Sequence, residues 1–228
     1  MLAFVAAEAR EFAGLLRHAE RVEKLDWPLD FARKIWLSGR AVVLVANGPG
    51  PKLAAQAVEV AKEREELTGL VSTGFCGALD PALRVGDIYI AACILPSAAC
   101  QQPLAPSRGS VKRGVLLSTD RVASTAAEKS ELRKSGADAV EMEAAGVAQK
   151  AIKYKLPFYC VRVVSDGAHD DLALDFNRMR DSAGRFSRSK ILAAALLKPS
   201  AFPKLMTLNK RSKAAAQALG DFLAGTRF

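Results

Sequence analysis

The chain has 228 residues, half of them hydrophobic, and a formal net charge of +9. That length and apolar content fit one large domain with a sizeable core and exclude a disordered chain. The N-terminal run MLAFVAAEAR is broken by Glu8 and Arg10, too early for a signal peptide, and no apolar run nears the roughly 20 residues of a membrane span, so a cytoplasmic chain is expected.

Residues Leu2 to Ala7 read as a short buried strand, followed by a helix from Glu8 to Val22 with Phe12, Leu15, Leu16 and Ala19 at helical spacing. Glu11 then lies in the first turn after the strand. Apolar runs at Lys34–Ser38 and Ala41–Ala46, split by Gly39 and Arg40, form a hairpin signal. The second run leads into NGPGPK and a helix from Leu53 to Arg64, so Gly48 and Gly50 are placed to offer backbone N–H groups to phosphate or water. Thr68–Thr73 is a strand feeding a Gly-rich segment, Gly74, Phe75, Cys76 and Gly77, where a ligand can approach the backbone. Asp87–Leu95 is a strand, Pro96–Arg113 a long covering loop, Gly114–Ser118 a strand and Ala123–Lys134 a helix. After Ala139–Gly146 come a helix to Tyr154 and the strand Phe158–Ser165. Asp170 and Asp171 open a long helical region, divided by Pro199 and Pro203 from a last helix reaching Leu223. Alternating strands and helices give an α/β fold, a central mixed sheet flanked by helices in three layers, as a single domain over 1–228.

Cys76, Cys93, Cys100 and Cys160 lack CxxC spacing, and only His18 and His169 accompany them, so neither a metal site nor disulfides are expected. Charge gathers at the C-terminus: from Lys198 onward, Lys198, Lys204, Lys210, Arg211, Lys213 and Arg227 face Asp221 alone. In the final helix, at about 200–224, Leu205, Leu208, Leu219 and Leu223 share one face. Such a helix packs on its own domain or rests on a bilayer surface, a peripheral contact with the inner membrane. The tail lacks interleaved aromatics, which argues against nucleic acid.

The chemistry concentrates in AVEMEAAG, where an apolar run ends in Glu141, Met142 and Glu143 at the start of a helix. Acids in a first turn suit the helix dipole, and surface acids are the bland explanation. A second apolar run, FYCVRVVSD, ends in Ser165 and Asp166, however, and strand ends carrying polar or Gly-rich elements converge on ligand crevices.

STGFCGALDPALRVGD, AVEMEAAG and VRVVSD, in that order and with an acid just after the first strand, resemble the purine nucleoside phosphorylase and nucleosidase superfamily. The resemblance runs from Met1 to about Ser200 and is strongest toward methylthioadenosine/S-adenosylhomocysteine nucleosidases. The tail from Leu196 and the run PFYCVRVVSD are more similar to a hopanoid-associated phosphorylase branch, thought to release adenine from adenosylhopane. The resemblance implies a nucleoside substrate, a homo-oligomer, no organic cofactor, and inorganic phosphate as co-substrate if the reaction is phosphorolysis. It casts Asp166 as proton donor to purine N7, Ser165 as its positioning hydroxyl, Glu143 and Glu141 as ribose-side groups, and Met142 as the thioether under the sugar. The resemblance also casts Glu11 as the acid that helps orient the attacking water, with Arg162 nearby. Val122 and Ala123 fall where backbone atoms read the adenine edge, although the stacking Phe of that segment is missing here.

These residue types suit the reaction. Breaking a purine N–C1′ bond puts negative charge on the base and positive charge on the sugar, so it calls for a proton at the base and anionic or soft groups at the ribose. Asp166 supplies the proton either through burial that keeps it protonated or by receiving it through the bound substrate. The absence of a basic residue from GFCGAL favours water as the acceptor, and so hydrolysis, while Arg10, Lys52 and Arg162 leave phosphorolysis available as the alternative. Phe75, with the small Val122 and Ala123, points to a roomy apolar pocket for a bulky 5′ substituent. A non-catalytic nucleoside- or membrane-binding protein of the same fold is the reading from a different class.

Overall fold

The computed structural model describes residues 1–97, 99–100, 111–197 and 202–228. Its centre is β1 (Leu2–Ala6), parallel to β4 (Arg40–Ala46) on one side and β5 (Gly69–Ala78) on the other. A strand with parallel neighbours on both sides is covered on both faces, which is why LAFVA is apolar throughout. Ala3 and Val5 enter one core cluster with α2 (Pro51–Arg64) and α4 (Ala144–Tyr154). Phe4 and Ala6 enter the opposite cluster, with Leu15 of α1 (Ala13–Leu16) and Leu219 of α6 (Phe202–Ala224). The three layers expected from the sequence are therefore present.

Beyond β4 the sheet runs antiparallel to β3 (Phe31–Leu37) and then β2 (Arg21–Lys24). The β3–β4 turn is Ser38-Gly39, with φ of 49° and 75°, the left-handed pair that matches hairpin twist. On the other side β5 pairs with both β9 (Ala139–Glu141) and β10 (Phe158–Asp166). β10 pairs with β6 (Ile88–Leu95), β6 with β8 (Val111–Ser118), and β8 with β9. Five strands thus close on themselves, with β7 (Ala99–Cys100) attached to β6. The C-terminal ends of β9 and β10 meet over the Phe75–Gly77 part of β5, where the sequence places its acids.

Four expectations change. The helix from Glu8 to Val22 is only a 3₁₀ turn at Ala9–Phe12 and the single turn α1, because the chain leaves to form the exposed edge strand β2. Gly74–Gly77 is not a loop: β5 continues through Ala78, with Arg162, Val163 and Val164 of β10 opposite Gly74, Phe75 and Cys76. The region after Asp170 is irregular, with a 3₁₀ turn at Phe176–Met179 before α5 (Arg188–Leu197). Pro203 lies inside the first turn of α6, where a missing N–H costs nothing, whereas Pro199 and most of the Pro96–Arg113 loop lie outside the described residues. Among those described, no helix is long and apolar enough to cross a membrane.

Candidate active site

Each acid is set by the backbone that precedes it. Glu11 closes the 3₁₀ turn after β1, where its Oε2 accepts the Glu8 N–H at 2.9 Å and its Oε1 the Phe75 N–H at 2.9 Å. Glu141 ends β9, and its carboxylate accepts the N–H groups of Glu143 at 2.8 Å and of Ala144 at 2.9 Å, anchoring the start of α4. This satisfies orphan donors of a helix N-terminus. Glu143 accepts the Gly50 N–H at 3.1 Å. Gly146 permits that approach: a Cβ there would meet Pro51 O at 2.0 Å.

Arg162 lies beneath all three glutamates and is fully buried. It donates to Thr73 O and Ser72 Oγ at 2.7 Å each, pairs closely with Glu141, and stands 3.6 Å from Glu143 Oε2. Gly74 lets the group assemble, since a Cβ there would lie 2.6 Å from Glu11 Oε1 and 2.9 Å from Arg162 Nη1, and its φ of 133° is itself a glycine conformation. One guanidinium among three carboxylates leaves negative charge in excess. Burial raises Glu11, although two backbone hydrogen bonds oppose this. Burial first, then the charge of Glu141, pushes Glu143 up to about 8. Burial disfavours the charge on Arg162, but Glu141 outweighs it and holds the guanidinium protonated.

Asp166 closes β10 across the rim. Its Oδ1 accepts from Ser165 Oγ at 2.6 Å, while Ser165 also reaches Cys76 O at 3.2 Å. Its Oδ2 is 2.5 Å from Lys129 Nζ of α3 (Ala126–Arg133). Lys129 is 1% exposed and also donates to Gly167 O and Asp170 O. The buried ammonium and the Asp166 carboxylate form a charge-assisted pair at this side of the rim.

Glu11, Phe75, Cys76, Val122, Ala123, Glu141, Met142, Glu143, Ser165 and Asp166 all line one cavity of about 190 Å³. Four expected residues do not line it. Arg162 and Gly74 form its support, and Gly48 and Gly50 send their N–H groups to Ala7 O and to Glu143, so neither is left to cradle an anion. Lys52 lies at a separate hollow between α2 and α4. The cations on the cavity wall, Arg10 and Arg121, are paired with Glu8 and Glu128. Sequence reasoning missed Lys129, which reads as a solvated helix position beside Glu128. It also missed Leu172, Phe176, Phe186 and Leu208, which bring an apolar wall from beyond β10. Aromatic rings therefore reach the cavity from a segment other than Val122–Ala123, with Phe176 and Phe186 edge to face at 6.0 Å. The Val122 N–H donates to Asn177 Oδ1 at 2.8 Å, and Asn177 Nδ2 donates to Val122 O at 3.0 Å.

The chain is similar in sequence and fold to known proteins. The model of the Phosphorylase superfamily matches residues 5–102 and 96–197. A 5'-methylthioadenosine/S-adenosylhomocysteine nucleosidase of Shewanella piezotolerans is 28% identical over 188 residues, 69% of this chain and 82% of that protein. One from Staphylococcus aureus is 27% identical over 187 residues, with the same coverage of both chains. The fold is similar to the Neisseria meningitidis nucleosidase bound to methylthio-immucillin-A, with TM-score 0.70, 24% identity, and coverage of 98% of this chain and 96% of that one. It is also similar to the futalosine hydrolase of Helicobacter pylori, with TM-score 0.71, 17% identity, and coverage of 98% and 95%. With a match that spans most of its length and the acids of three strand ends gathered at one cavity, the chain belongs to the Phosphorylase superfamily.

Proposed function

We propose that the chain hydrolyses the N-ribosyl bond of a 5′-modified adenosine and releases adenine. The observation that carries this reading is the polarity of the cavity: three glutamates over one buried guanidinium on one side, and Asp166 with Ser165 and Lys129 on the other. The nucleosidase relatives support the same bond cleavage. A ribosyl ring gaining positive charge sits against Glu143 and Met142, and the purine takes its proton at the Asp166 end. Water attacks C1′, Glu11 accepts a proton from it, the N–C1′ bond breaks, and its electron pair goes to the base. The Lys129–Asp166 pair shares the proton that N7 receives. A carboxylate made more basic by burial is a better acceptor for the proton of water, which is the direction found for Glu11.

Phosphate would be a poor acceptor here. Its dianion would add to a glutamate cluster already short of positive charge, and the guanidinium that could answer it is committed to Glu141, Ser72 and Thr73. The wall of Phe75, Phe176, Phe186, Leu172 and Leu208 favours a bulky apolar group at the 5′ position, as adenosylhopane has, over the small methylthio group. The test is free-base release from methylthioadenosine, adenosine, inosine and a 5′-alkyl adenosine, each with and without phosphate. We expect adenine release that ignores phosphate and is fastest with the 5′-alkyl substrate. A strict phosphate requirement would make the enzyme a phosphorylase, and no release from any substrate would end the catalytic reading.

A further inference from the structure

The apolar face of α6 does not look outward: Leu219 and Leu223 are buried, and Leu205 joins Ile191 and Ala194 against Ala173 and Leu174. A different set of side chains is left in solvent. Leu192, Leu196 and Leu197 of α5 and Phe202 and Met206 of α6 are between 56% and 87% exposed. They account for five of the seven large hydrophobic side chains exposed among the described residues, all within one 15-residue stretch. Single exposed leucines are ordinary, whereas a cluster of this kind marks an interaction surface.

The charge around the cluster selects the partner. From Ser182 to Gly220 the sequence has eight lysines and arginines and no aspartate or glutamate. Arg185 and Arg211 are tied to Asp30 and Asp170, but Lys204, Lys210 and Lys213 are exposed and no acid among the described residues pairs with them. Phe202, Met206, Lys210 and Lys213 follow at helical spacing along one exposed stripe of α6. At 1.5 Å per residue, Lys210 and Lys213 stand about 6 and 10 Å behind Met206. The headgroup layer of a leaflet is about 5–7 Å deep, so an apolar end in the acyl region leaves these ammonium groups among the phosphates.

We infer that the α5–α6 end of the molecule docks on an anionic lipid bilayer, with Leu192, Leu196, Leu197, Phe202 and Met206 in the acyl boundary and Lys204, Lys210 and Lys213 at the headgroups. The same segment walls the cavity through Phe186 and Leu208. A second hollow, lined by Pro203, Lys204, Thr207 and Arg211, shares Asp166, Leu172 and Leu208 with the first. Docking therefore places the cavity beside the lipid phase, where an apolar 5′ group would reside. Only this last link rests on the proposed function.

The experiment is sedimentation of the full chain with phosphatidylcholine vesicles, with and without phosphatidylglycerol, over a range of salt. Leu196→Ser with Met206→Ser, and Lys210→Glu with Lys213→Glu, are compared with the parent. The parent is expected to bind the anionic vesicles and to leave them as salt rises, and each double variant to bind about tenfold or more weakly. Turnover of a water-soluble nucleoside should not change in either variant. A parent that stays in the supernatant, variants that sediment like it, or loss only of self-association in ultracentrifugation would each overturn docking. Absent base release in parent and variants alike would sink the proposed chemistry while leaving the docking result standing.

Discussion

At the scale of single residues, Lys129 carries the most information that the sequence hid. It sits 2.5 Å from Asp166 Oδ2 with backbone oxygens of Gly167 and Asp170 completing its shell. The pair sets an ammonium N–H against the carboxylate at the base end of the cavity, so a proton handed on by Asp166 is replaced from Lys129 Nζ. Lys129→Met should therefore lower kcat about 100-fold, with little change in KM. An unchanged kcat would leave Lys129 a purely structural residue. Asn177 offers a second test. Its carboxamide gives Val122 an acceptor for the N–H and a donor for the C=O, the pattern that adenine presents at N1 and N6. If the base reads Val122, it has to displace Asn177, and Asn177→Ala should tighten adenine binding about fivefold or more by calorimetry. Weaker adenine binding in the variant would make the amide a strut that holds the edge in place.

At the scale of elements, the site depends on how closely α4 meets α2. A Cβ at Gly146 would lie 2.0 Å from Pro51 O, and Glu143 at the start of α4 bonds the Gly50 N–H just before α2. Gly146→Ala should cost about 1–3 kcal/mol of stability by overpacking and raise KM for the nucleoside as Glu143 shifts. A variant with parental Tm and KM would show that the two helices part without moving the acid. Elements explain which parts of the fold were legible. The hairpin at Gly39 carried turn residues and the strands β1, β4 and β10 largely apolar runs, so local signal and tertiary context agreed. The helix expected over Glu8–Val22 had its apolar spacing satisfied within one short turn at Phe12 and Leu15, and β2 is held through backbone pairing to β3 rather than by apolar side chains. Gly74 and Gly77 read as breakers, yet β5 absorbs them because its neighbours hold it extended. Glu11, Glu143 and Asp166 were legible because each follows a strong strand or opens a strong helix. Lys129 and the apolar wall from Leu172 to Leu208 were not, since their role exists only after distant segments meet.

At the scale of the whole molecule, closure of β5, β10, β6, β8 and β9 brings the ends of β9 and β10 together over β5, and β1 adds Glu11 from the side. The sheet thereby separates two environments: glutamates sharing one guanidinium at the sugar, and an acid with a buried ammonium at the base. The α5–α6 end adds an apolar and basic surface beside the same cavity. The central claim is that these groups act together on one N–C1′ bond with Asp166 as its proton donor. It is tested most directly by single-turnover adenine release from a 5′-alkyl adenosine by the parent and Asp166→Asn, with Tm measured alongside. A loss of at least about 100-fold in variant protein held below its own Tm, which falls as the buried Lys129 loses its counter-ion, is predicted, and adenine release at the parental rate from Asp166→Asn would contradict it.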